Sequence, residues 1–265
     1  MAQLGRRHEP FPAAPAMADV RDMYLMHDTL RREFRLMPGL FRGVARGDTR
    51  RAAAVAAHAD LLCRLLHVHH EAEDAVLWPI LRERAGTQAT VVVAAMQEQH
   101  AAIDAALARA AELMPIWRAT ARRGANLADV FDHLFTMLVE HTVMEEEQVL
   151  PLAKRCVTAQ EWKQMAKHGM HSFSAKDLLL CFGLMMHEGD PDVVKGALDD
   201  APLAGRILIP RLGKRAFASH AKRCTATPPH RTVDRGASTV PESRVSRPRG
   251  TRVGPGSSRR TCTGS

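Results

Sequence analysis

The chain has 265 residues, of which 46% are hydrophobic and 5% aromatic, and this length allows one large domain or two small ones. The net charge is +8, but residues 223–265 hold nine Arg against one Asp and one Glu, so the rest of the chain is close to neutral. The basicity therefore does not indicate a nucleic-acid-binding fold, and we expect no specific nucleic-acid partner.

The cellular location is predicted from three further features. No apolar run approaches the ~20 residues of a membrane span, and the first residues lack the apolar stretch of a signal peptide. The five cysteines are odd in number and include no CxxC pair. These features predict a cytoplasmic protein with reduced thiols and no membrane partner.

Four long helical patterns fill residues 19 to about 155, each with apolar residues at helical spacing. The second is predicted to be capped by Asp48 and to end by Gly86, the third to end near Gly124, and the fourth to be capped by Asn126. Short connections favour antiparallel neighbours. We therefore predict an all-α protein built on an up-down-up-down four-helix bundle over residues 19–155.

Shorter helices are predicted for residues 156–222, which we interpret as an accessory helical segment. Thr158 and Ser174 are expected to begin helices there, and Pro191 suits a first turn. Pro210 is expected to kink the last helix or to restart it.

Both ends of the chain are predicted to lack regular structure. Residues 1–18 are expected to form a flexible N-terminus. Residues 223–265 contain no Leu, Ile, Phe, Trp or Tyr and cannot bury enough apolar surface to offset the entropy of ordering. We expect them to form a disordered, Arg-rich tail.

An internal repeat carries the chemistry. The segments HHEAEDAVLWP (69–79) and HTVMEEEQVLP (141–151) align without gaps, each with a His, a Glu four residues later and a Pro six residues after that. Each segment is preceded by a lone His one helix earlier: His27 lies 42 residues before His69, and His100 lies 41 residues before His141. A duplicated αα hairpin explains this pattern, whose six residues are His27, His69, Glu73, His100, His141 and Glu145.

The repeated residues predict a metal site. Residues at i and i+4 lie on one helix face, so a His and a Glu at this spacing can approach the same ion. All six residues lie on the apolar stripes of their helices, where a charged Glu is costly unless it is paired or binds a cation. A polar core without metal is the alternative.

Other polar residues near the repeat have two interpretations. His70 lies at the edge of the apolar stripe, where it is either a fifth His ligand or a residue at the rim of the core. His67 is expected to face solvent. Tyr24 can reach the site or simply pack in the core. Four acidic residues are predicted to form outer charged faces from which they can contact the ligands: Glu71, Asp74, Glu146 and Glu147.

The whole pattern resembles the hemerythrin HHE cation-binding family over roughly residues 19–155. It is similar in particular to actinobacterial hemerythrin-like proteins, including Gly-Met-His at 169–171 and His-Glu-Gly-Asp-Pro at 187–191. The resemblance implies two non-haem iron ions with an oxo or hydroxo bridge. The family pattern falls on His27, His69, His70, Glu73, His100, His141 and Glu145.

The third helix departs from part of this family. Annelid and sipunculid hemerythrins carry His-x-x-x-His there, whereas His100 is followed four residues on by Asp104 and preceded four residues back by Met96. One iron is therefore expected to have a different ligand set, with His70 as the substitute.

Three functions are compatible with these residues. Imidazole suits iron, zinc, copper and nickel, but the set exceeds a mononuclear zinc site, and the Glu-x-x-His motif of ferritin-like bundles is absent from the sequence. The leading hypothesis is a di-iron protein that binds or senses O2, NO or peroxide. The alternatives are catalase-like or NO-reducing turnover at the same centre, and a structural or regulatory protein that the metal only stabilises.

Overall fold

The computed structural model describes residues 15–198 and 203–224, and the regular structure within them is helical apart from one isolated bridge between Met17 and Thr158. The predicted all-α fold is confirmed. Most of the predicted disordered tail and most of the predicted flexible N-terminus lie outside the described residues. The tail was predicted to begin at residue 223, but Arg223 and Cys224 still belong to the last helix. The α-helices are α1 (Arg21–Arg42), α2 (Thr49–Ala72), α3 (Trp78–Arg84), α4 (Gly86–Thr120), α5 (Gly124–Met144), α6 (Leu150–Cys156), α7 (Ala159–Lys167), α8 (Ala175–Met185), α9 (Pro191–Gly196) and α10 (Leu203–Cys224).

The bundle consists of α1, α2, α4 and α5, with α3 and α6 as continuations of α2 and α5. Each of the four long helices packs on its neighbours in the chain, and α5 returns to pack on α1. The connections between them are short, so neighbouring helices are antiparallel. This arrangement confirms the predicted four-helix bundle.

Most predicted helix starts are found where side-chain capping places them. Asp48 accepts a hydrogen bond from the Arg51 backbone N–H, and Thr158 and Ser174 each form a reciprocal capping box. Pro191 lies in the first turn of α9. These residues begin helices because the first backbone N–H groups of a helix have no partner within it, and the capping side chains accept hydrogen bonds from them.

Two expectations about helix ends differ from the structure. Asn126 is not the cap of α5, because the helix already begins at Gly124. Gly124 lies so close to the end of α1 that an added Cβ would stand 2.6 Å from the Phe41 carbonyl oxygen, so only glycine fits there. Pro210 does not restart the last helix, since α10 continues through it from Leu203 to Cys224.

The apolar core is divided into two clusters. The first core cluster lies toward the α1–α2 connection and contains Phe34, Phe131 and Trp117, whereas the second core cluster contains Trp78 and Trp162. Helices α1, α2 and α4 contribute buried residues to both clusters, whereas α5 contributes them to the first cluster and its continuation α6 to the second. The repeated His and Glu residues lie between the clusters along the sequence of each helix, so the bundle has a polar layer in its middle.

The helices after the bundle pack against it and against each other. α8 packs closely on α10, where a Cβ on Gly183 would stand 2.4 Å from the Gly213 carbonyl oxygen. α10 also packs on α2, and α8 and α9 pack on α1. The Trp162 indole N–H of α7 donates a hydrogen bond of 2.9 Å to Asp22 of α1. Across the described ranges, no helix combines the length and the apolar character that crossing a membrane requires.

The link between α3 and α7 predicts an acid-sensitive contribution to stability. The Arg84 guanidinium and the Thr158 backbone N–H lower the pKa of Glu161 to about 2. A lowered carboxyl pKa stabilises the fold above the unfolded value of about 4.3, and this stabilisation is lost as the pH falls toward 2.

We therefore expect Glu161→Gln to lower the melting temperature at pH 7 by at most roughly 2–4 °C, the effect of about 1 kcal/mol for a partly exposed pair. The difference from the unmodified protein should shrink as the pH falls from about 4.3 to 2. Glu98→Gln, at an exposed position on α4, is the matched control and should leave the melting curve unchanged at both ends of this range. A difference between Glu161→Gln and the parent protein that does not depend on pH would contradict the assignment.

Candidate metal centre

All seven residues predicted from the sequence come together in the polar layer between the two core clusters. Within each of two groups, the candidate ligand atoms lie within 4.8 Å of one another. Six of the seven residues are buried, and the His69 side chain is 10% exposed. The three-His group consists of His70, His100 and His141, and the His/Glu group consists of His27, His69, Glu73 and Glu145.

The Glu73 carboxylate connects the two groups. Its Oε1 atom lies 3.1 Å from Nε2 of His69 in its own group, and its Oε2 atom lies 3.3 Å from Nε2 of His100 in the three-His group. Each of the two oxygens therefore faces a different group, which is the arrangement that a carboxylate needs in order to bridge two cations.

The Glu145 carboxylate, from the second half of the chain, also lies near one imidazole of each group, but through a single oxygen. Its Oε2 atom lies 3.1 Å from Nε2 of His27 and 3.8 Å from Nε2 of His141. The contact with His27 is short, but its direction does not fit a hydrogen bond, since neither atom has a hydrogen-bond partner. Both glutamates thus contact one imidazole of each group.

Each of these two glutamates stands at the start of a single π-helical turn. The π turns cover Glu73–Leu77 and Glu145–Val149, and each is closed by an i+5 hydrogen bond, from the Trp78 N–H and the Leu150 N–H respectively, to the glutamate carbonyl. Isolated π turns within α-helices often occur at functional sites. The same local widening at two equivalent positions is a second signature of the internal repeat.

The repeated proline explains why the wide turn is stable at these positions. Pro79 and Pro151 follow the π turns directly after Trp78 and Leu150, and a proline ring in α-helical register clashes with the carbonyl four residues earlier. A proline alone does not create the widening, because α1 and α4 stay α-helical through Pro38 and Pro115. At the end of a π turn it instead disfavours a return to the narrower register.

The imidazoles of three ligand candidates are oriented from outside. In each case the ring Nδ1 atom contacts a polar side chain, which leaves Nε2 directed at the glutamates. The three pairs are His27 with Glu146 at 2.9 Å, His100 with Asp74 at 3.2 Å, and His141 with Gln99 at 3.0 Å. Of these partners, Glu146 also accepts a hydrogen bond of 2.7 Å from Arg31.

His70 lies in the interior and not at the rim. Its ring stacks on the ring of His100, with centroids 4.0 Å apart and an interplanar angle of 8°. Both ring nitrogens of His70 are buried and lack a hydrogen-bond partner. Met96 belongs to the second core cluster, and Asp104 is an exposed partner of His67. Helix α2 therefore places a second imidazole, that of His70, beside the single one that α4 contributes to the polar layer.

Burial keeps four imidazoles of the site neutral. It lowers the pKa of His69 to about 3 and of His141 to about 4, and it also lowers the pKa values of His70 and His100. These groups do not hold a proton near pH 7, so a nitrogen lone pair of each is available to a metal.

His27 and Glu145 form a charged pair, whereas burial favours the neutral form of Glu73. Burial acts to lower the pKa of His27, but the Glu145 carboxylate overrides it and raises this pKa to about 9. Burial acts to raise the pKa of Glu145, and His27 reverses this and lowers it to about 2. Burial, followed by the charge of Glu145, raises the pKa of Glu73 well above its ordinary value. Without a metal, protons on His27 and Glu73 therefore offset the negative charge of the buried carboxylates, a role that a bound cation can take over.

The donor set fits a pair of metal ions. Of the thirteen buried side-chain nitrogen and oxygen atoms without a hydrogen-bond partner in the described part of the chain, ten belong to these seven residues. Each such atom costs roughly 1–3 kcal/mol, so a few of them would offset much of the ~5–15 kcal/mol that stabilises a folded domain. Metal coordination satisfies these atoms, and mixed imidazole and carboxylate ligands suit iron, among other transition metals.

Comparison with known protein families matches residues 18–153, about half of the chain, to the hemerythrin HHE cation binding domain. The chain belongs to the hemerythrin HHE family. No curated protein and no solved structure matches it. The match covers the four-helix bundle and all seven residues of the candidate centre, and it ends before α7, so the helices from Ala159 onward are additions to the matched region.

The outer contacts were only partly predicted from the sequence. Asp74 and Glu146 were predicted to lie on outer faces from which they could reach the ligands, and both do. Glu71 and Glu147 are exposed, as is His67. Gln99 was not predicted, since a glutamine beside His100 carries no signal of its own. Tyr24 packs beside the second core cluster, with the Lys154 ammonium over its ring.

The contact between Glu146 and His27 predicts a loss of metal affinity on substitution. Glu146→Ala removes the group that holds the ring of His27, and changes of this kind typically weaken metal binding by about 10- to 100-fold. Competition against a chromophoric chelator measures the affinity. Glu147→Ala changes the charge equally at the next, exposed residue and should retain the parent affinity. Equal affinities of the two variants would show that Glu146 does not orient the ligand.

Proposed function

We propose that this hemerythrin-family chain is a non-haem di-iron protein that binds or senses a small ligand, namely O2, NO or peroxide. The observation that supports this proposal best is that Glu73 and Glu145 each lie between the two groups, in contact with one imidazole of the first group and one of the second. A single ion would leave one of the two groups unused. Iron, when bound, supplies the redox and Lewis-acid chemistry for such a ligand.

The ligands proposed for the two ions follow the two groups. His70, His100 and His141 would hold one ion, His27 and His69 the other, and the two glutamates would bridge them. Five imidazoles against two carboxylates stabilise ferric iron less than a carboxylate-rich cage does, which favours ligand binding over irreversible oxidation of iron. The buried layer also excludes bulk water, which strengthens the electrostatic effect of the ligands.

The boundaries and location of this domain are part of the same proposal. The family match at 18–153 supports a metal-binding domain at about 19–155, with 156–222 as an accessory helical segment. The four cysteines of the described chain form no disulfide. Free thiols favour a reducing compartment, and we propose the cytoplasm.

Iron content tests the proposal directly. The anaerobically reconstituted full chain is expected to hold about two iron ions, and admission of O2 or NO should produce a ligand-to-iron charge-transfer band in the visible spectrum. Iron content well below two per chain, or a spectrum that no small ligand changes, would overturn the proposal. Evolution of O2 from peroxide, abolished by Glu73→Ala and by Glu145→Ala, would identify turnover in place of binding.

His70 provides a sharper test of the ligand assignment. His70→Ala removes one of three imidazoles from the three-His group, so iron content should fall from about two to about one ion per chain. His67→Ala, three residues earlier at an exposed position of the same helix, is the matched control and should keep about two. Unchanged iron content in His70→Ala would show that His70 is a packing residue and not a ligand.

A further inference from the structure

A second buried cluster of metal-binding side chains lies where α1, α2 and α10 meet, apart from the seven residues of the di-iron site. It consists of Glu33, His58, His220 and Cys224, and each of these residues is at most 7% exposed. The sequence shows no motif here, because the four residues come from helices that are distant along the chain. His220 and Cys224 stand at i and i+4 in the last turns of α10.

Two pairs within this cluster are already at the spacing of metal ligands. Oε2 of Glu33 lies 3.2 Å from Nε2 of His58, and Nε2 of His220 lies 3.4 Å from Sγ of Cys224. Zinc bonds of about 2.0–2.3 Å in tetrahedral geometry place neighbouring ligand atoms about 3.3–3.6 Å apart. Each pair thus matches one edge of a tetrahedral site.

The two pairs meet through their imidazoles. The rings of His58 and His220 lie with their centroids 4.6 Å apart and their planes tilted by 58°. The four groups follow one another in a row, and no three of them have ligand atoms within 4.8 Å of one another, as the residues of the di-iron site do. An ion must therefore draw the two rings together to contact all four groups. This closure acts across the contact between α2 and α10.

The carboxylate end of the cluster is held in place by a hydrogen bond from outside it. Oε1 of Glu33 is bound by the Arg32 guanidinium at 2.8 Å, which leaves Oε2 for a second partner. Arg32 also donates to the Leu184 carbonyl of α8, so Glu33 is held in place from the outside.

We propose that Glu33, His58, His220 and Cys224 form a second, mononuclear metal site for Zn2+ or a similar borderline-soft divalent cation, which fastens α10 to the bundle. The donor set of one thiolate, two imidazoles and one carboxylate is of the type that zinc prefers. Binding converts the Cys224 thiol to a metal thiolate and releases its proton to solvent. The site is independent of the di-iron proposal, because it shares no residue with that centre.

Cobalt binding to the metal-free full chain tests this site, because only a cysteine ligand gives a thiolate-to-cobalt charge-transfer band. We expect this band, together with the intense visible bands of tetrahedral cobalt, to saturate at one Co2+ per chain beyond the ions that the di-iron site can hold. Both should be lost in Cys224→Ser and in His220→Asn. They should persist in Cys63→Ser, the matched control at a half-buried cysteine of α2, and in the Glu73→Ala/Glu145→Ala double variant.

Three outcomes would overturn the second site. One is cobalt binding without a thiolate band, and another is a band that survives Cys224→Ser. The third is a band lost in Cys224→Ser but retained in both His58→Asn and His220→Asn. As a measurement that needs no variant, Zn2+ should slow alkylation of Cys224 by at least tenfold relative to alkylation of Cys63. Equal slowing of both thiols, or of neither, would also contradict the proposal.

Discussion

The buried imidazoles and carboxylates between the two core clusters set the conditions that the rest of the bundle must meet. Apolar packing alone allows helices to slide by a turn at modest cost, since one leucine can replace another in a core. Polar side chains that must meet at one depth do not allow this. The register of α1, α2, α4 and α5 is therefore fixed by the contacts of Glu73 and Glu145 with imidazoles from all four helices.

The same requirement reaches outward from the layer. Neutral imidazoles bind metal only through a correctly placed nitrogen, and Glu146, Asp74 and Gln99 hold the opposite nitrogens of three rings. Arg31 in turn holds Glu146 and contacts Thr142, so the orientation of His27 depends on residues of both α1 and α5. These outer residues thus orient the candidate ligands, although none of them is proposed to bind an ion.

The sequence predicts the bundle and the seven inward residues because both depend on spacing. Helical periodicity places His69 and Glu73 on one face, and the repeat shows that His141 and Glu145 are their equivalents. Two other classes of feature do not follow from spacing. The π turns do not follow from the presence of a proline, since the helix stays α-helical through Pro38 but widens before Pro79. The contacts of Gln99 and of the Glu33–Cys224 cluster depend on which helices come together in three dimensions.

The alignment of the two halves places His70 opposite Thr142, and this one pair of positions breaks an otherwise symmetrical centre. Thr142 donates its hydroxyl hydrogen to the Leu138 carbonyl of its own helix and accepts a hydrogen bond from Arg31 of α1. Its side chain is therefore used in helix contacts, whereas the ring nitrogens of His70 are available to a metal. Without that difference the halves would present two imidazoles each. With it, two ions bound as proposed would have unequal numbers of imidazole ligands, and a small molecule that reached them would meet a polarised pair with a preferred end.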